Sequence, residues 1–191
     1  MELVLASTSP YRRTQMARLG IAFRCQAPQV DEEDLKRDLA GLPPRDLALA
    51  LAMAKARSLA GEGVVVVGGD QLLAFEGRVL GKPGTQEGAI TQLMMLAGRT
   101  HHLITALAVW HDGLCASHVD DAALTMRALD RAGIERYVAA DRPLDCAGSY
   151  KLEERGITLF ERIVSDDHSA ITGLPLMALT TFLRRLGFAV P

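Results

Sequence analysis

The sequence predicts an α/β fold, a mixed and twisted central sheet flanked by helices. Two apolar runs, Leu3 to Ala6 and the four valines Val64 to Val67, have the length and density of buried strands, the second of them covered on both faces. Glu76-Gly77 and Asp112-Gly113 each lie between strand-like runs and mark antiparallel pairs. Helical stretches interleave with these strands without strict βαβ alternation, so a mixed sheet fits better than a parallel one.

Taken in order, Leu3 to Ala6 form the first strand. Ser9 is a good N-cap, Pro10 suits the first helical position, and Pro10 to Leu19 form a short helix closed by Gly20. Phe23 to Gln26 form a second strand. Residues 28 to 44 are polar and proline-flanked and read mostly as loop, with a charged piece from Asp31 to Asp38. Arg45 to Ala60 form a helix with Leu47, Leu51, Ala54 and Leu59 along one face. Leu72 to Phe75 and Arg78 to Leu80 bracket the Glu76-Gly77 turn. Thr85 caps a helix carrying Ile90, Leu93, Met94 and Leu96. Leu103 to Trp110 and His118 to Met126 flank Asp112-Gly113. Asp130 to Ala140 form a helix, Ile157 to Ile163 a strand, and Pro175 to Leu186 a last helix ended by Gly187.

A chain of 191 residues, 49% hydrophobic and 23% charged, has the size and balance of one soluble domain, residues 1–191. Its net charge of −2 gives no general basic surface, so nucleic acid is not an expected partner and any anion site is local. Three cysteines without a CxxC pair point to a reducing compartment rather than a disulfide framework or a structural zinc site. With no leader and no apolar run of spanning length, a cytoplasmic protein without a membrane partner is expected.

The segment Ser7-Thr8-Ser9-Pro10-Tyr11-Arg12-Arg13 carries the strongest chemical signal. Cations in a first helical turn oppose the helix dipole and make sense where an anion sits at that end. Backbone N–H groups, serine hydroxyls and guanidinium forks together suit a phosphate or polyphosphate. Asp70 follows the valine strand and two glycines, where open α/β sheets place ligands, and it could equally be a turn cap. The glycines would let a substrate or metal approach the backbone. Gln71 points the other way if the strand continues. Lys82 stands in a rigid Gly-Lys-Pro-Gly loop. Lys55, in an apolar helix, needs an anionic partner or must snorkel. The acidic run Asp31-Glu32-Glu33-Asp34 is either a solvated face or the source of a metal-binding carboxylate. No Walker loop, GxGxxG, HExxH or GxSxG is present. His101-His102 lack matching ligands and read as core or solvated histidines, and Cys146 as a buried small residue. Four cations with one or two carboxylates suit metal-assisted hydrolysis of a phosphoanhydride.

These segments, with Val30-Asp31-Glu32, Ala54-Lys55-Ala56, Gly69-Asp70-Gln71, Gly81-Lys82-Pro83, Cys146-Ala147-Gly148-Ser149-Tyr150, Gly156-Ile157-Thr158-Leu159-Phe160-Glu161 and Gly173-Leu174-Pro175-Leu176, resemble the Maf-type nucleotide pyrophosphatases over nearly the whole chain. The resemblance implies a fold like that of the inosine-triphosphatase enzymes, with a cleft between two lobes. It implies cleavage of a nucleoside triphosphate to the monophosphate and pyrophosphate with Mg²⁺ or Mn²⁺, and Asp70 as the catalytic carboxylate. Ser7, Ser9, Arg12, Arg13, Lys55 and Lys82 would hold the phosphates, and Glu32 and Asp70 the metal. Within the family the chain resembles the branch acting on 7-methyl-GTP. Tyr11 and Gln71 stand where the dTTP and UTP branch usually has Arg and Thr, and Glu153 also fits the 7-methyl-GTP branch. Tyr11 could stack on the cationic ring and Glu153 accept from the guanine edge, or the two could simply pack on the core and face solvent. Gly69 departs from that branch, which often has serine. A dTTP/UTP pyrophosphatase and a non-catalytic nucleotide-binding division regulator remain as alternatives, and a homodimer is left open.

Overall fold

The computed structural model describes residues 1–190. Seven strands form one mixed sheet: β1 (Glu2–Ala6), β2 (Arg24–Gln26), β3 (Val64–Phe75), β4 (Arg78–Leu80), β5 (Thr100–His111), β6 (Leu114–Met126) and β7 (Phe160–Val164). Their order is β2-β1-β3-β5-β6-β7, with β4 paired to β3 off that path. β1 runs parallel to β2 and β3, whereas β3–β4 and β6–β7 are antiparallel. The helices are α1 (Pro10–Ala17), α2 (Glu32–Asp38), α3 (Pro44–Arg57), α4 (Gln86–Leu96), α5 (Arg131–Asp141), α6 (His168–Ile171) and α7 (Leu176–Arg185). Two compact units divide the chain. One comprises Met1–Gln71, Thr105–Asp120 and the residues from Asp167 on; the other comprises Leu72–Ile104 and Asp121–Asp166.

In the first unit the two faces of the sheet are set by strand alternation. Leu3, Leu5, Val65 and Val67 face a core with Met16 of α1 and Leu176, Leu179 and Leu183 of α7. The opposite face carries α3, and Gly68 sets its distance. A Cβ at Gly68 would stand 2.3 Å from the Ala52 carbonyl oxygen and 2.7 Å from the Ala56 nitrogen. The first of the two glycines thus serves helix-on-strand packing, not the approach of a ligand to the backbone. The buried face of α3 is Ala48, Leu51, Ala52, Lys55 and Ala56; of the expected stripe Leu47, Leu51, Ala54 and Leu59, Leu51 lies on it and the other three are only half-buried. Alanines, not the bulkier leucines, let α3 lie close to the strand.

The stretch expected as loop contains a helix, α2. Asp31 caps it by accepting from the N–H groups of Glu33 and Asp34. Glu32, Glu33 and Asp34 fill the first turn and Lys36 and Arg37 the last, which complements the helix dipole. The strand that begins at Val64 does not stop at Val67; it continues through Asp70 and Gln71 to Phe75.

In the second unit, α4 starts at the expected cap, Thr85, which accepts from the Gly88 N–H, and packs against α5. Ile90, Leu93 and Leu96 are buried and Met94 is exposed. The Glu76-Gly77 hairpin has positive φ at both turn residues, 49° and 76°, as a two-residue turn matched to strand twist requires. Residues 157 to 163 are not one strand. A 3₁₀ turn, Arg155–Leu159, precedes β7. Gly156 lies so close to the Lys151 backbone that a Cβ would stand 2.3 Å from its carbonyl oxygen.

Candidate active site

Asp70 lies inside β3 and is only 4% exposed. Its alternation places it on the face shared with Gly68, toward α3. Gly68 lets α3 close on the strand, and Lys55, on the same helix face, meets the carboxylate: Lys55 Nζ is 2.6 Å from Asp70 Oδ1. The same ammonium is 2.7 Å from Glu32 Oε2. Of the two ways of accommodating Lys55, the structure takes the anionic partners, and the residue is 5% exposed. Asp70 is therefore not a turn cap.

Glu32 belongs to the helix absent from the sequence expectation. Its second oxygen, Oε1, is 2.9 Å from Lys36 Nζ, one helical turn on. Lys36 also lies 3.5 Å from Glu33 Oε1. Burial alone would raise the Glu32 carboxyl, but the hydrogen bonds and charges of Lys55 and Lys36 prevail and lower its pKa to about 2. Burial works against the Lys36 ammonium as well, yet Glu32 raises its pKa above the ordinary lysine value. Lys36 is the residue sequence reasoning missed, and the Glu-to-Lys i, i+4 spacing was the available signal.

Arg12 joins the group from α1. Its Nε donates to the Gly173 carbonyl at 3.0 Å. Burial lowers its pKa, while the charges of Asp70 and Glu32 act in the opposite sense. Gly69 lies beside it: a Cβ there would stand 3.4 Å from Arg12 Nε and 3.5 Å from the Ala106 carbonyl oxygen. That space accepts the serine side-chain stem of the related branch with little adjustment.

At the start of α1 the structure uses the polar groups differently from the expectation. Ser9 Oγ accepts from the Arg12 N–H at 3.4 Å, and the Arg13 N–H donates to the Ser9 carbonyl at 3.2 Å. Ser7 Oγ accepts from the Ser9 N–H at 3.1 Å. The amide hydrogens of Ser9, Arg12 and Arg13 are thus engaged within the turn. A pocket of about 270 Å³ opens at this point, lined by Ser7, Thr8, Ser9, Pro10, Arg13, Cys25, Gln26 and Ala27. Arg13 is exposed and Ser7 is buried.

Gln71 points to the opposite face from Asp70, as a continuing strand demands. Its amide nitrogen lies 2.9 Å from Thr105 Oγ1 and 3.0 Å from the carbonyl oxygens of Ala170 and Ile171. The residue expected to read the base thus ties β3 to α6. Tyr11 is half-buried on α1. Lys82 and Glu153 are exposed and belong to the second unit. His101 is a buried core histidine and His102 is exposed.

Among the described residues, no three or more His, Cys, Asp or Glu side chains gather as a metal cage. The donor set still fits a hard divalent cation that takes most ligands from phosphates and water. Asp70 Oδ2 is buried and has no hydrogen-bond partner. A buried carboxylate oxygen left without a partner is costly unless something occupies it. Among the described residues, no helix is long and apolar enough to cross a membrane.

The same fold occurs in a solved structure. The structure of a HAM1 protein from Coxiella burnetii aligns over 97% of this chain and 98% of its own, with a TM-score of 0.52 and 17% identity. Residues 2–186 match the family of Maf-like proteins, and the chain belongs to that family. A Bdellovibrio bacteriovorus protein named 7-methyl-GTP pyrophosphatase is 50% identical over 182 residues, 95% of each chain. Proteins of the same name from Xanthomonas campestris and Pseudomonas savastanoi are 44% and 40% identical, each over 99% of this chain and 98% of its own.

Proposed function

We propose that this chain hydrolyses 7-methyl-GTP to 7-methyl-GMP and pyrophosphate with a divalent cation, Mg²⁺ or Mn²⁺. One observation carries the chemistry: the buried Asp70 carboxylate has one oxygen held by Lys55 and the other without a partner. The relatives' shared name supports the choice of nucleotide.

Asp70 and Glu32 would hold the cation, which when bound supplies a Lewis acid for the phosphoryl oxygens. Lys55 fixes the plane of the Asp70 carboxylate by holding Oδ1. Oδ2 is then the atom that orients an attacking water by accepting its hydrogen bond. Arg12 and Arg13 hold phosphate oxygens, Arg13 from the wall of the pocket at the start of α1 and Arg12 from a position fixed by the Gly173 carbonyl. Ser7 and Ser9, whose oxygens already accept within the turn, keep their hydroxyl hydrogens for the phosphates. Tyr11, next to Arg12, offers a face for the cationic methylated ring. Three free cysteines support a cytoplasmic setting.

The test is a panel of 7-methyl-GTP, GTP, UTP, dTTP and CTP, each with Mg²⁺ or Mn²⁺, read by release of pyrophosphate and monophosphate. The highest kcat/KM is expected for 7-methyl-GTP. A preference for UTP or dTTP overturns the substrate, and no pyrophosphate from any nucleotide overturns the reaction.

A further inference from the structure

Two carboxylates meet at this site, and three of their four oxygens are held by ammonium groups. Glu32 Oε1 is held by Lys36 at 2.9 Å, and Glu32 Oε2 by Lys55 at 2.7 Å. Asp70 Oδ1 is held by Lys55 at 2.6 Å. Only Asp70 Oδ2, on a side chain 4% exposed, has no partner. A divalent cation approaching these carboxylates finds one available oxygen and two ammonium groups close by, with Arg12 adding a third positive charge that the two carboxylates feel. One oxygen among three cations is a poor site.

We propose that Lys36 is a lock on the carboxylates: it holds Glu32 on Lys55 and so keeps the free protein from taking up the divalent cation ahead of the nucleotide. The inference rests on the metal-assisted reading above. A triphosphate carries the anionic oxygens that ammonium groups prefer. When it arrives, Lys36 exchanges its carboxylate for phosphate, and Glu32 becomes available beside Asp70, whose Oδ1 Lys55 keeps. The cation and the nucleotide therefore bind together. Lys36 has the placement for this role. It is half-buried on α2, one turn from Glu32, and its ammonium contacts Glu32 and Glu33 but not Asp70, whose charge it feels at longer range. It is a positioning residue, and its removal has opposite consequences for cation uptake and for turnover.

The experiment is titration of the full chain with Mn²⁺ alone, followed by electron paramagnetic resonance of the free ion. It is repeated with the α,β-methylene analogue of 7-methyl-GTP present. Wild type is expected to bind Mn²⁺ weakly alone and tightly with the analogue. Lys36→Met keeps the aliphatic stem and removes the charge. It is expected to bind Mn²⁺ alone about fivefold tighter or more, as the loss of one nearby cation implies, while kcat with 7-methyl-GTP falls. Lys36→Arg restores the wild-type pattern. Arg37→Met, which removes a neighbouring exposed charge paired with Asp34, leaves Mn²⁺ affinity unchanged and separates the lock from general electrostatics. Unchanged or weaker Mn²⁺ binding in a folded Lys36→Met protein overturns the lock, and so does an equal gain in Arg37→Met. If wild type binds no Mn²⁺ even with the analogue, the metal-assisted reading fails and the lock falls with it.

Discussion

Each unit of the molecule buries one side-chain polar atom that has no hydrogen-bond partner among the described residues: Asp70 Oδ2 in the first and His101 Nδ1 in the second. Their settings differ in kind. Asp70 is paired with Lys55, which also holds Glu32, and it feels the charge of Arg12. His101 is wholly buried, with its Nε2 2.9 Å from the Tyr150 hydroxyl and the rings of Tyr150 and Phe160 5.6 and 5.8 Å away. Burial, and then the neighbouring His102, lowers its pKa to about 4, so it is neutral at pH 7. An unpartnered atom thus has two meanings. Among fixed charges it is the position that the proposed reaction assigns to a ligand. In an aromatic cage around a neutral ring it is a tolerated cost of packing.

The largest effect expected is at Asp70. Asp70→Asn keeps an oxygen for Lys55 and removes the charge. It should cut kcat by about 10²–10⁴-fold, the usual worth of a positioned acid or base, in a protein that still folds but with a lower urea midpoint, because the buried Lys55 loses one of its two carboxylate partners. Retention of more than about a tenth of the activity would make the two unpartnered atoms alike and break the comparison.

Lys55→Met comes next. It leaves two carboxylates facing each other, one of them buried, and removing one partner of a buried ion pair costs roughly 3–5 kcal/mol. Urea denaturation reads that loss directly. Adding Asp70→Asn to Lys55→Met should recover part of it, because the buried charge is then gone. A double variant as unstable as Lys55→Met alone would mean that Lys55 stabilises by its stem and not by its charge.

The second region makes a pH prediction. His101 has a pKa of about 4 in the folded protein and about 6.5 unfolded. As pH falls below about 6.5 the unfolded chain takes up a proton that the folded chain refuses. Stability is therefore lost between those values, by roughly 3 kcal/mol in all, and no further loss from this group follows below pH 4. His101→Phe should flatten the slope of unfolding free energy against pH over that window by about one proton, while kcat at pH 7 stays near wild type. An unchanged slope would show that the ring is already charged or not the group that titrates.

The same contrast shows what the sequence could reveal. Leu3 to Ala6, the valine run and both hairpins were legible because local hydropathy and turn chemistry decide them. α2 was not, because it has a single large apolar residue, Leu35, between charges; its stability comes from the Asp31 cap and from lysines that pair with Glu32. The face of α3 was misread because its contact with β3 depends on alanines, which hydropathy weighs lightly. Lys55 announced itself as a lysine in apolar company. Its partners lie 23 and 15 positions away in sequence, a juxtaposition that only the close approach at Gly68 creates. Gln71 donates to backbone carbonyls of α6, partners that sequence alone cannot place.

The smallest effect expected, and the one that tests which region reads the base, is at Tyr11. It lies in the first unit next to Arg12 and is half-buried, while Glu153, expected from the sequence to read the guanine edge, is exposed in the second. A cation over an aromatic face gains about 0.5–2 kcal/mol, more as water is excluded. Tyr11→Ala should therefore lower kcat/KM for 7-methyl-GTP by roughly 2- to 30-fold, and by less for GTP, whose ring carries no charge. Tyr11→Phe, which keeps the face and loses the hydroxyl, should behave like wild type. Glu153→Ala should cost both guanine nucleotides alike if its carboxylate accepts from the guanine N1–H and amino group, and UTP little. Equal losses on 7-methyl-GTP and GTP in Tyr11→Ala would remove ring charge from the explanation, and an unchanged Glu153→Ala would confine base reading to the region that holds Asp70.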